Sequence, residues 1–477
     1  MSVIQKAVRG VKWQTVSYVY MTVLSVLKYA VLTRLLEKSV FGLVAIAMMV
    51  ISFTEIFSQL GMTIGIIHKQ DITDKQYSSL YWLNVMASII MFFLLWLCSP
   101  LLASFYKEPI LNQIIPLLGI QILLNGFGKM FQTIKTKELE FRFLSIVNIV
   151  VNTINFIVTV LTAWLGWGVF SLVAGQLVMV LINQAIFAFM GMKQQKILFH
   201  FSFKEILDFI KIGAYQLGSS ILDFVSAKID VFLIGRFWGM SNLGVYNIAK
   251  ELILKPSGVI RGLINSVASS AFAKIQNNKL AIQAYFVKML KVLGTITIPI
   301  YVIMFVFSDP IVSILYSPEF SEVSLFIKIL AFVGIEYCIS GFAGTLQIAY
   351  GRTDLGFKWT IVRIVMYTSV LLLSSGFSII FVAYGQTVLS VVSLILYWWM
   401  IVRPLSDISL SSYLGSLKTP SLFSVALSIP FIIVMTWVDN LYVQIALGFL
   451  YVFLFCLSYL LFQRDFLKTV VSLVKNK

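Results

Sequence analysis

The chain has 477 residues, of which 59% are hydrophobic and only 12% are charged, and its formal net charge is +16. Soluble globular proteins are about 45–50% apolar and about 25% charged. This composition therefore excludes a soluble enzyme with a membrane anchor, and it also excludes a disordered chain. Long unbroken apolar runs predict an all-α integral membrane protein, because a helix satisfies its own backbone hydrogen bonds within lipid. The basic excess is typical of cytoplasmic loops and does not indicate a nucleic-acid partner.

Apolar runs separated by charged or turn-rich breaks predict about 14 transmembrane helices of about 20 residues or more. In chain order they lie at approximately residues 12–33, 39–66, 79–104, 110–131, 143–165, 168–190, 209–235, 243–271, 285–308, 324–349, 357–377, 379–401, 420–438 and 441–462. When both termini are placed in the cytoplasm, most of the 36 lysines and arginines fall on the cytoplasmic side. This asymmetry predicts a multi-pass protein with an even number of spans and two cytoplasmic termini.

The two halves of the chain repeat each other weakly. Gly42 in LTRLLEKSVFGLVAIA matches Gly244 in LIGRFWGMSNLGVYNIA at an offset of 202. Six spans separate equivalent points, so the halves insert with the same orientation, which predicts two parallel six-helix lobes. The lobes are expected at residues 1–195 (helices 1–6) and 196–405 (helices 7–12), with helices 13 and 14 and a cytoplasmic tail at 406–477. Two lobes that rock around a central cavity are typical of an alternating-access transporter.

Two segments carry a resemblance to a known family. They are VFGLVAIAMMVISFTEIFSQLGMTIGIIHKQ at 40–70 and AKIDVFLIGRFWGMSNLGVYNIAKELILKPSGVIRGLINSVASSAFAKIQ at 227–276. Both resemble the polysaccharide transporters (Wzx-type flippases) of the multidrug/oligosaccharidyl-lipid/polysaccharide (MOP) superfamily, and the chain is similar to colanic-acid and teichuronic-acid type exporters. The resemblance implies two six-helix lobes with two extra C-terminal helices.

The same resemblance implies an activity and a location. The expected function is to flip undecaprenyl-pyrophosphate-linked oligosaccharide units across the bacterial plasma (inner) membrane by alternating access. These units serve the biosynthesis of surface polysaccharides such as the O-antigen of lipopolysaccharide, capsule or exopolysaccharide. Membrane lipids and the polysaccharide polymerase machinery are the other expected partners. The sequence does not indicate which glycan is carried.

Charged residues within the predicted spans are the candidate site, because a charge in hydrocarbon costs about 2.5–3.5 kcal/mol on insertion scales. The candidate cations for the substrate diphosphate are Lys28, Lys228, Lys250, Lys255 and Arg261. The last three lie on one predicted helix, which Pro256 and Gly258 are expected to interrupt. Glu251 is four residues from Lys255 and can neutralise it. Structural ion pairing remains the alternative role for these cations.

Four acidic residues are candidates for ion coupling or gating: Asp223, Asp230, Glu336 and Glu55. The repeat makes Lys28 equivalent to Asp230, so a contact between the lobes is predicted there, with Glu55 as the other candidate partner of Lys28. Coupling to H⁺ or Na⁺ is left open, and neither a cofactor nor a metal site is indicated. Asn125, Gln176 and Gln184 are interpreted as helix–helix hydrogen-bonding residues.

Two other functions compete with a flippase. An ion-coupled drug or metabolite exporter of the same superfamily would share the two-lobe body, but a basic cavity suits an anionic lipid better than a cationic drug. An integral-membrane polymerase or glycosyltransferase would need a large outer loop for its chemistry, which the sequence lacks, so no catalytic residue is proposed. The segment 201–213 has an amphipathic pattern that predicts an interfacial helix between the lobes.

Overall fold

The computed structural model describes residues 3–58, 62–69, 71–276, 278–374 and 376–462. The predicted tail at 463–477 and its four basic residues lie outside this part, so its location stays a prediction. The chain divides into two compact units, Met1–Asn247 and Ile248–Lys477. The predicted division of the chain rests on the repeat and also stays a prediction. It places two lobes at 1–195 and 196–405 and helices 13 and 14 with the tail at 406–477.

The first unit is built from helices α1 to α8 and the start of α9. Their bounds are α1 (Val3–Leu32), α2 (Lys38–Ser58), α3 (Met62–His68), α4 (Asp74–Tyr106), α5 (Leu111–Lys137), α6 (Phe141–Trp164), α7 (Val169–Gln194), α8 (Phe203–Phe237) and α9 (Gly239–Ile275). α4 begins with a capping box, in which Thr73 and Gln76 exchange side-chain and backbone hydrogen bonds. The most extensive packing joins α4 to α5, α6 to α7, and α5 to α7.

The second unit contains the rest of α9 and helices α10 to α17. Their bounds are α10 (Lys279–Val306), α11 (Ser308–Leu315), α12 (Val323–Ala349), α13 (Thr353–Leu373), α14 (Ile379–Tyr397), α15 (Arg403–Ser406), α16 (Leu410–Met435) and α17 (Leu441–Phe462). A π-helical turn at Trp398–Val402 joins α14 to α15. α10 packs against α12 and α16, and α12 packs against α14.

The predicted all-α membrane fold is confirmed, and every predicted span overlaps a helix. Twelve helices of the described residues are long and apolar enough to cross a membrane. α8 and α9 are not among the twelve, and both carry several charged residues, so the count of 14 stays a prediction. The span expected at 39–66 coincides with α2 and α3. Residues 59–61 lie outside the described part of the chain, so the continuity of this span stays a prediction.

The repeat appears in the first unit as a reciprocal contact between helix starts. A Cβ at Gly42 would overlap the carbonyl of Met240, and a Cβ at Gly244 would overlap the carbonyl of Lys38. The pairs 38/240 and 42/244 have the same offset, so the start of α2 and the start of α9 meet about a local twofold axis. Glycine is needed at both positions because the backbones approach so closely.

Two local predictions are corrected by the structure. The segment at 201–213 is not a separate interfacial helix but the start of α8, and its Ile206 and Phe209 are buried in a core cluster of the first unit. α9 continues through Pro256 without interruption. Pro256 has no N–H to donate to the carbonyl oxygen of Leu252, and at the neighbouring residue the hydroxyl of Tyr301 donates to the carbonyl oxygen of Ile253 at 2.7 Å.

Candidate functional site

Glu55 lies at the centre of a polar network inside the first unit. Its Oε1 accepts hydrogen bonds from Asn125 Nδ2 at 2.8 Å and from Gln121 Nε2 at 3.3 Å. Two glutamines of α7 extend the network. Gln176 Nε2 donates to Gln121 Oε1 at 3.1 Å, and Gln184 Nε2 donates to Asn125 Oδ1 at 2.8 Å. Neutral amides from two helices therefore surround a carboxylate of a membrane-spanning segment.

The register of α5 explains this arrangement. Asn125 and Lys129 are four residues apart and share a helix face, and Lys129 attracts Glu55 electrostatically. α7 approaches α5 closely because a Cβ at Gly128 would overlap the side chain and backbone of Gln184. The Oε1 atom of Gln184 is buried and receives no hydrogen bond from the described residues. The network thus contains a carboxylate and a second acceptor with capacity for a proton donor or a cation.

Lys28 and Asp230, which the repeat makes equivalent, both lie in the first unit. Lys28 Nζ donates to Asn155 Oδ1 at 3.0 Å. Asp230 is buried, and its Oδ2 accepts a hydrogen bond from the hydroxyl of Tyr246 at 2.6 Å. Glu55 takes its hydrogen bonds from α5 and not from Lys28, so the alternative pairing of Lys28 is not the one observed among the described residues. The contact between Lys28 and Asp230 stays a prediction.

Lys228 lines a cavity of about 770 Å³ between α2, α4 and α8. The walls include Phe53, Leu94, Leu101 and Phe224, and Lys228 is the only charged residue among those that line the cavity. The rings of Phe53 and Phe224, which both line the cavity, lie 5.2 Å apart. The structure therefore places this predicted cation beside apolar surface.

The remaining acid of α8 lies elsewhere on the helix. Asp223 is exposed and is not among the residues that line the cavity. Its predicted role in coupling or gating stays a prediction.

The predicted pairing on α9 is observed. Lys255 Nζ lies 3.3 Å from Glu251 Oε2, and both side chains are partly exposed. Lys250 is also partly buried. Because the ion pair offsets the charge of Lys255, this lysine is a weaker anion ligand than its position alone indicated.

Arg261 lies in a charged cluster of the second unit. Its guanidinium lies over the ring of Tyr337, 4.3 Å from the ring centroid, an arrangement that favours a cation. Its Nε is buried, packs against Gly341, and has no hydrogen-bond acceptor among the described residues. Glu336 is buried, accepts a 2.5 Å hydrogen bond from Ser340 Oγ, and is attracted by Arg261.

Arg363 is the second cation that attracts Glu336, and sequence reasoning missed it. The orientation count assigns Arg363 to a cytoplasmic segment. α13 begins at Thr353, so Arg363 lies about 15 Å along this helix at about 1.5 Å per residue. Its distance from the helix start was the signal that could have identified it. Glu336 is therefore isolated in sequence but not in space.

The chain matches the family described as polysaccharide biosynthesis protein over residues 31–325. It is 28% identical to the teichuronic acid biosynthesis protein TuaB of Bacillus subtilis (strain 168) over 429 residues, which cover 90% of this chain and 89% of TuaB. It is 25% identical to the lipopolysaccharide biosynthesis protein WzxC of Escherichia coli (strain K12) over 421 residues, which cover 88% of this chain and 86% of WzxC.

Solved structures show the fold. The inward closed conformation of the lipid II flippase MurJ matches with a TM-score of 0.78 at 13% identity, covering 95% of this chain and 99% of MurJ. An inward-facing multidrug resistance MATE family transporter of the MOP superfamily matches with a TM-score of 0.61 at 12% identity, covering 82% of this chain and 96% of the transporter. The fold is thus that of MOP transporters, and the chain belongs to the polysaccharide biosynthesis protein family.

Proposed function

We propose that this multi-span membrane protein is a flippase for oligosaccharide units linked to undecaprenyl pyrophosphate, and that it is a transporter rather than an enzyme. The observation that carries the proposal is the placement of cations on helices of the membrane domain. The guanidinium of Arg261 lies over the ring of Tyr337 and attracts Glu336. An anion crossing a low-dielectric region needs such partners, because an unpaired buried charge is very costly. The similarity to TuaB and WzxC along most of the chain supports a role in surface polysaccharide biosynthesis.

The proposed diphosphate ligands are Lys28, Lys228, Lys250, Lys255 and Arg261. In this proposal they are reached in turn as the transporter alternates its access between the two sides of the membrane. Arg261 is the strongest candidate, because a guanidinium offers several fixed donors to phosphate oxygens. Lys255 is the weakest, because Glu251 already pairs with it.

Ion coupling is the second part of the proposal, and it requires no cofactor. Glu55 is the preferred coupling residue for H⁺ or Na⁺, since its hydrogen-bond partners are neutral amides, a single cation, Lys129, attracts it, and the Oε1 of Gln184 has spare acceptor capacity. Asp230, held by Tyr246, is the preferred gating residue. Glu336 is less suited to coupling because it already balances two arginines.

The proposed location is the bacterial plasma (inner) membrane, with both termini in the cytoplasm and association with the polysaccharide polymerase machinery. Single cysteines at Ser202 and Ser317, in a chain without its native cysteines, test the orientation. We expect a membrane-impermeant maleimide applied outside cells to label residue 317 and not residue 202. Labelling of both from the same side would overturn the topology.

Flipping itself is tested in proteoliposomes that contain the purified chain and a fluorescent polyprenyl-diphosphate oligosaccharide. A membrane-impermeant quencher reports how much of the lipid reaches the outer leaflet. We expect wild type to exchange the lipid, Arg261→Ala to lose most of this activity, and Lys328→Ala to retain it, since Lys328 pairs with Asp309 at a partly exposed position. Full flipping by Arg261→Ala at equal protein levels would contradict the proposed role of Arg261.

The competing function is export of drugs or metabolites, which the fold shared with the MATE transporter keeps open. The same proteoliposomes separate the two, because a drug exporter would accumulate a cationic dye under an ion gradient and would leave the lipid-linked oligosaccharide unflipped. The basic residues of α8 and α9 favour the anionic lipid.

A further inference from the structure

The segment that joins α7 to α8, residues 195–202, is held against the start of α4 by hydrogen bonds. The backbone N–H of Leu198 donates to Ser78 Oγ at 2.8 Å, and the carbonyl oxygen of Leu198 accepts from Trp82 Nε1 at 2.9 Å. The backbone N–H of Ser202 donates to a second serine side chain of α4 at 3.0 Å. This joining segment forms neither helix nor strand, so these contacts fix the direction of its side chains.

The joining segment and the first residue of α8 turn aromatic side chains outward. Phe199 is 98% exposed, although its ring stacks on that of Trp82 with the centroids 5.3 Å apart. Phe201 and Phe203 are also exposed, whereas Ile197 packs against a buried core cluster of the first unit. An exposed apolar cluster of this kind marks a surface that contacts a membrane or another molecule.

The position of the joining segment along α4 places it at the edge of the hydrocarbon. The 33 residues of α4 extend about 50 Å at about 1.5 Å per residue, which exceeds the ~30 Å hydrocarbon core. Its first residues are polar, and its apolar run begins at about residue 79. Ser78 and Trp82, which hold Leu198, lie on either side of this point. The segment therefore lies where headgroups meet acyl chains, a depth that aromatic and basic side chains favour.

The charges around the joining segment are complementary to phosphate. Residues 193–211 contain four lysines and two acidic residues. The lysines are all exposed: Lys193, Lys196, Lys204 and Lys211. One of the two acids, Glu205, lies 3.1 Å from Nε2 of His200 and is engaged within the protein. Exposed phenylalanines and excess lysines at headgroup depth together favour an anionic lipid surface.

We propose that the joining segment is a binding site for anionic phospholipid of the leaflet that it faces. Phe199, Phe201 and Phe203 insert among the acyl chains. Lys196 and Lys204 contact the phosphates. Bound lipid then holds the start of α8 at the membrane interface. The proposal does not depend on the transported substrate, so it is tested without transport.

The test uses the purified full chain in phosphatidylcholine nanodiscs and two photoreactive probes, added separately in equal amounts. Both carry a diazirine at the same acyl position near the glycerol, one on phosphatidylglycerol and the other on phosphatidylcholine. After illumination, mass spectrometry locates the labelled residues. We expect phosphatidylglycerol to label residues 195–204 about fivefold or more above phosphatidylcholine, because each lysine near an anionic surface contributes about fivefold in affinity. Equal labelling by both probes would overturn the proposal. Absence of label from the segment would also overturn it and would favour a protein partner for this surface.

The double variant Lys196→Gln/Lys204→Gln tests the contact with phosphate. Its labelling by phosphatidylglycerol should fall to the level of phosphatidylcholine, and its labelling by phosphatidylcholine should stay unchanged. The control Lys358→Gln/Lys418→Gln removes two exposed lysines elsewhere and should alter neither. A preference for phosphatidylglycerol that survives in the first variant, or falls equally in the control, would refute the contact.

Variants of Phe199 test insertion into the lipid. Phe199→Ser should reduce labelling of the segment by both probes. Phe199→Leu should retain it, because leucine keeps the apolar contact with lipid but loses the ring stack on Trp82. The control Phe357→Ser changes an exposed phenylalanine of α13 and should leave the segment labelled as in wild type. Equal loss in both Phe199 variants would show that the ring stack orients the segment, and it would refute insertion.

Competition separates this site from a site for the transported lipid. Excess unlabelled phosphatidylglycerol should remove the label from the joining segment, whereas polyprenyl diphosphate in the same amount as the probe should leave it. If polyprenyl diphosphate displaced the probe more effectively than phosphatidylglycerol does, the segment would be a substrate site and the proposal would be refuted. Flipping is scored separately in the proteoliposome assay. A chain that fails to flip lipid-linked oligosaccharide but shows the expected labelling would refute the proposed function alone.

Discussion

Glu55 in the first unit and Glu336 in the second are both carboxylates within membrane-spanning helices, and their partners differ in kind. Glu55 accepts hydrogen bonds from two amides of α5, which two amides of α7 hold in turn. Glu336 accepts one hydrogen bond from Ser340 and is attracted by Arg261 and Arg363. Amides satisfy hydrogen-bonding capacity without changing the net charge, whereas arginines offset the charge itself.

This difference assigns different roles to the two acids. A carboxylate that accepts its hydrogen bonds from amides keeps these neutral partners when it gains a proton or a cation, and only the attraction of Lys129 is reduced, which suits ion coupling. A carboxylate that is attracted by two arginines helps to offset their charge in a poorly solvated region. Glu336 therefore positions the arginines, and Arg261 in turn is the proposed ligand of the substrate diphosphate. The predictions below test this contrast.

The largest effect is expected from Glu336→Gln. Glu336 is buried and is attracted by Arg363 and Arg261, so its removal weakens the electrostatic compensation of both cations. Thermal unfolding of the purified protein in detergent should therefore show a clear fall in Tm. Glu319→Gln is the control, since Glu319 is exposed. If both variants unfold at the same temperature as wild type, Glu336 does not stabilise Arg261 and Arg363.

A smaller loss of stability is expected from Gly128→Ala, which tests the close packing of α5 on α7 beside the Glu55 network. The new Cβ would overlap both the side chain and the backbone of Gln184, so α5 and α7 must separate. Overpacking of this kind costs about 1–3 kcal/mol. The matched variant is Gly341→Ala, where the new Cβ meets only side-chain atoms of Arg261.

Because the side chain of Arg261 is flexible, Gly341→Ala should lower Tm less than Gly128→Ala does, but it should impair flipping by displacing the guanidinium. The two glycines thus separate a structural effect in the first unit from a functional effect in the second. The reverse order of Tm values would show that Arg261 is held more rigidly than the backbones of α5 and α7.

The helices themselves were largely predictable from sequence, because their ends coincide with local signals. The last span was predicted to begin at residue 441, and α17 begins at Leu441. Asp439 and Asn440 precede it and interrupt the apolar run, which is a local signal of a helix start.

The partners of the site residues were much less predictable. The hydrogen bonds of Glu55 join residues 66 and 70 positions apart, and no local pattern reveals which helix faces meet. Arg363 was counted as cytoplasmic because a charge near a predicted boundary is assigned to the nearest loop. Pairing within one helix, as for Glu251 and Lys255, was predictable because it depends only on spacing.

A still smaller effect on stability is expected from Glu55→Gln. Gln121 and Asn125 can still donate to the remaining carbonyl oxygen, so the loss should be about 0.5–1.5 kcal/mol, the net value of one hydrogen bond. Flipping, however, should lose its dependence on a proton or sodium gradient, because the amide cannot gain a proton or bind the cation as a carboxylate does. The proteoliposome assay measures this with and without each gradient. Unchanged gradient dependence would exclude Glu55 as the coupling residue.

The smallest change in stability is expected from Glu251→Gln. Unlike Glu55 and Glu336, Glu251 is partly exposed and pairs with a single lysine. Pairs spaced i,i+4 on a helix contribute only about 0.3–0.5 kcal/mol, because water and salt screen them. Tm should therefore stay close to that of wild type. Anion affinity should change more, because Lys255 is released from the carboxylate that lies 3.3 Å away.

Binding of a polyprenyl diphosphate should accordingly become tighter in Glu251→Gln, and this gain should disappear in the double variant Glu251→Gln/Lys255→Gln. Glu319→Gln again serves as the control for removing one negative charge elsewhere. If the gain persisted in the double variant, the change in net charge rather than Lys255 would be its cause. If affinity fell instead, the pair would be required as a unit, and Lys255 would belong with the structural charges and not with the proposed diphosphate ligands.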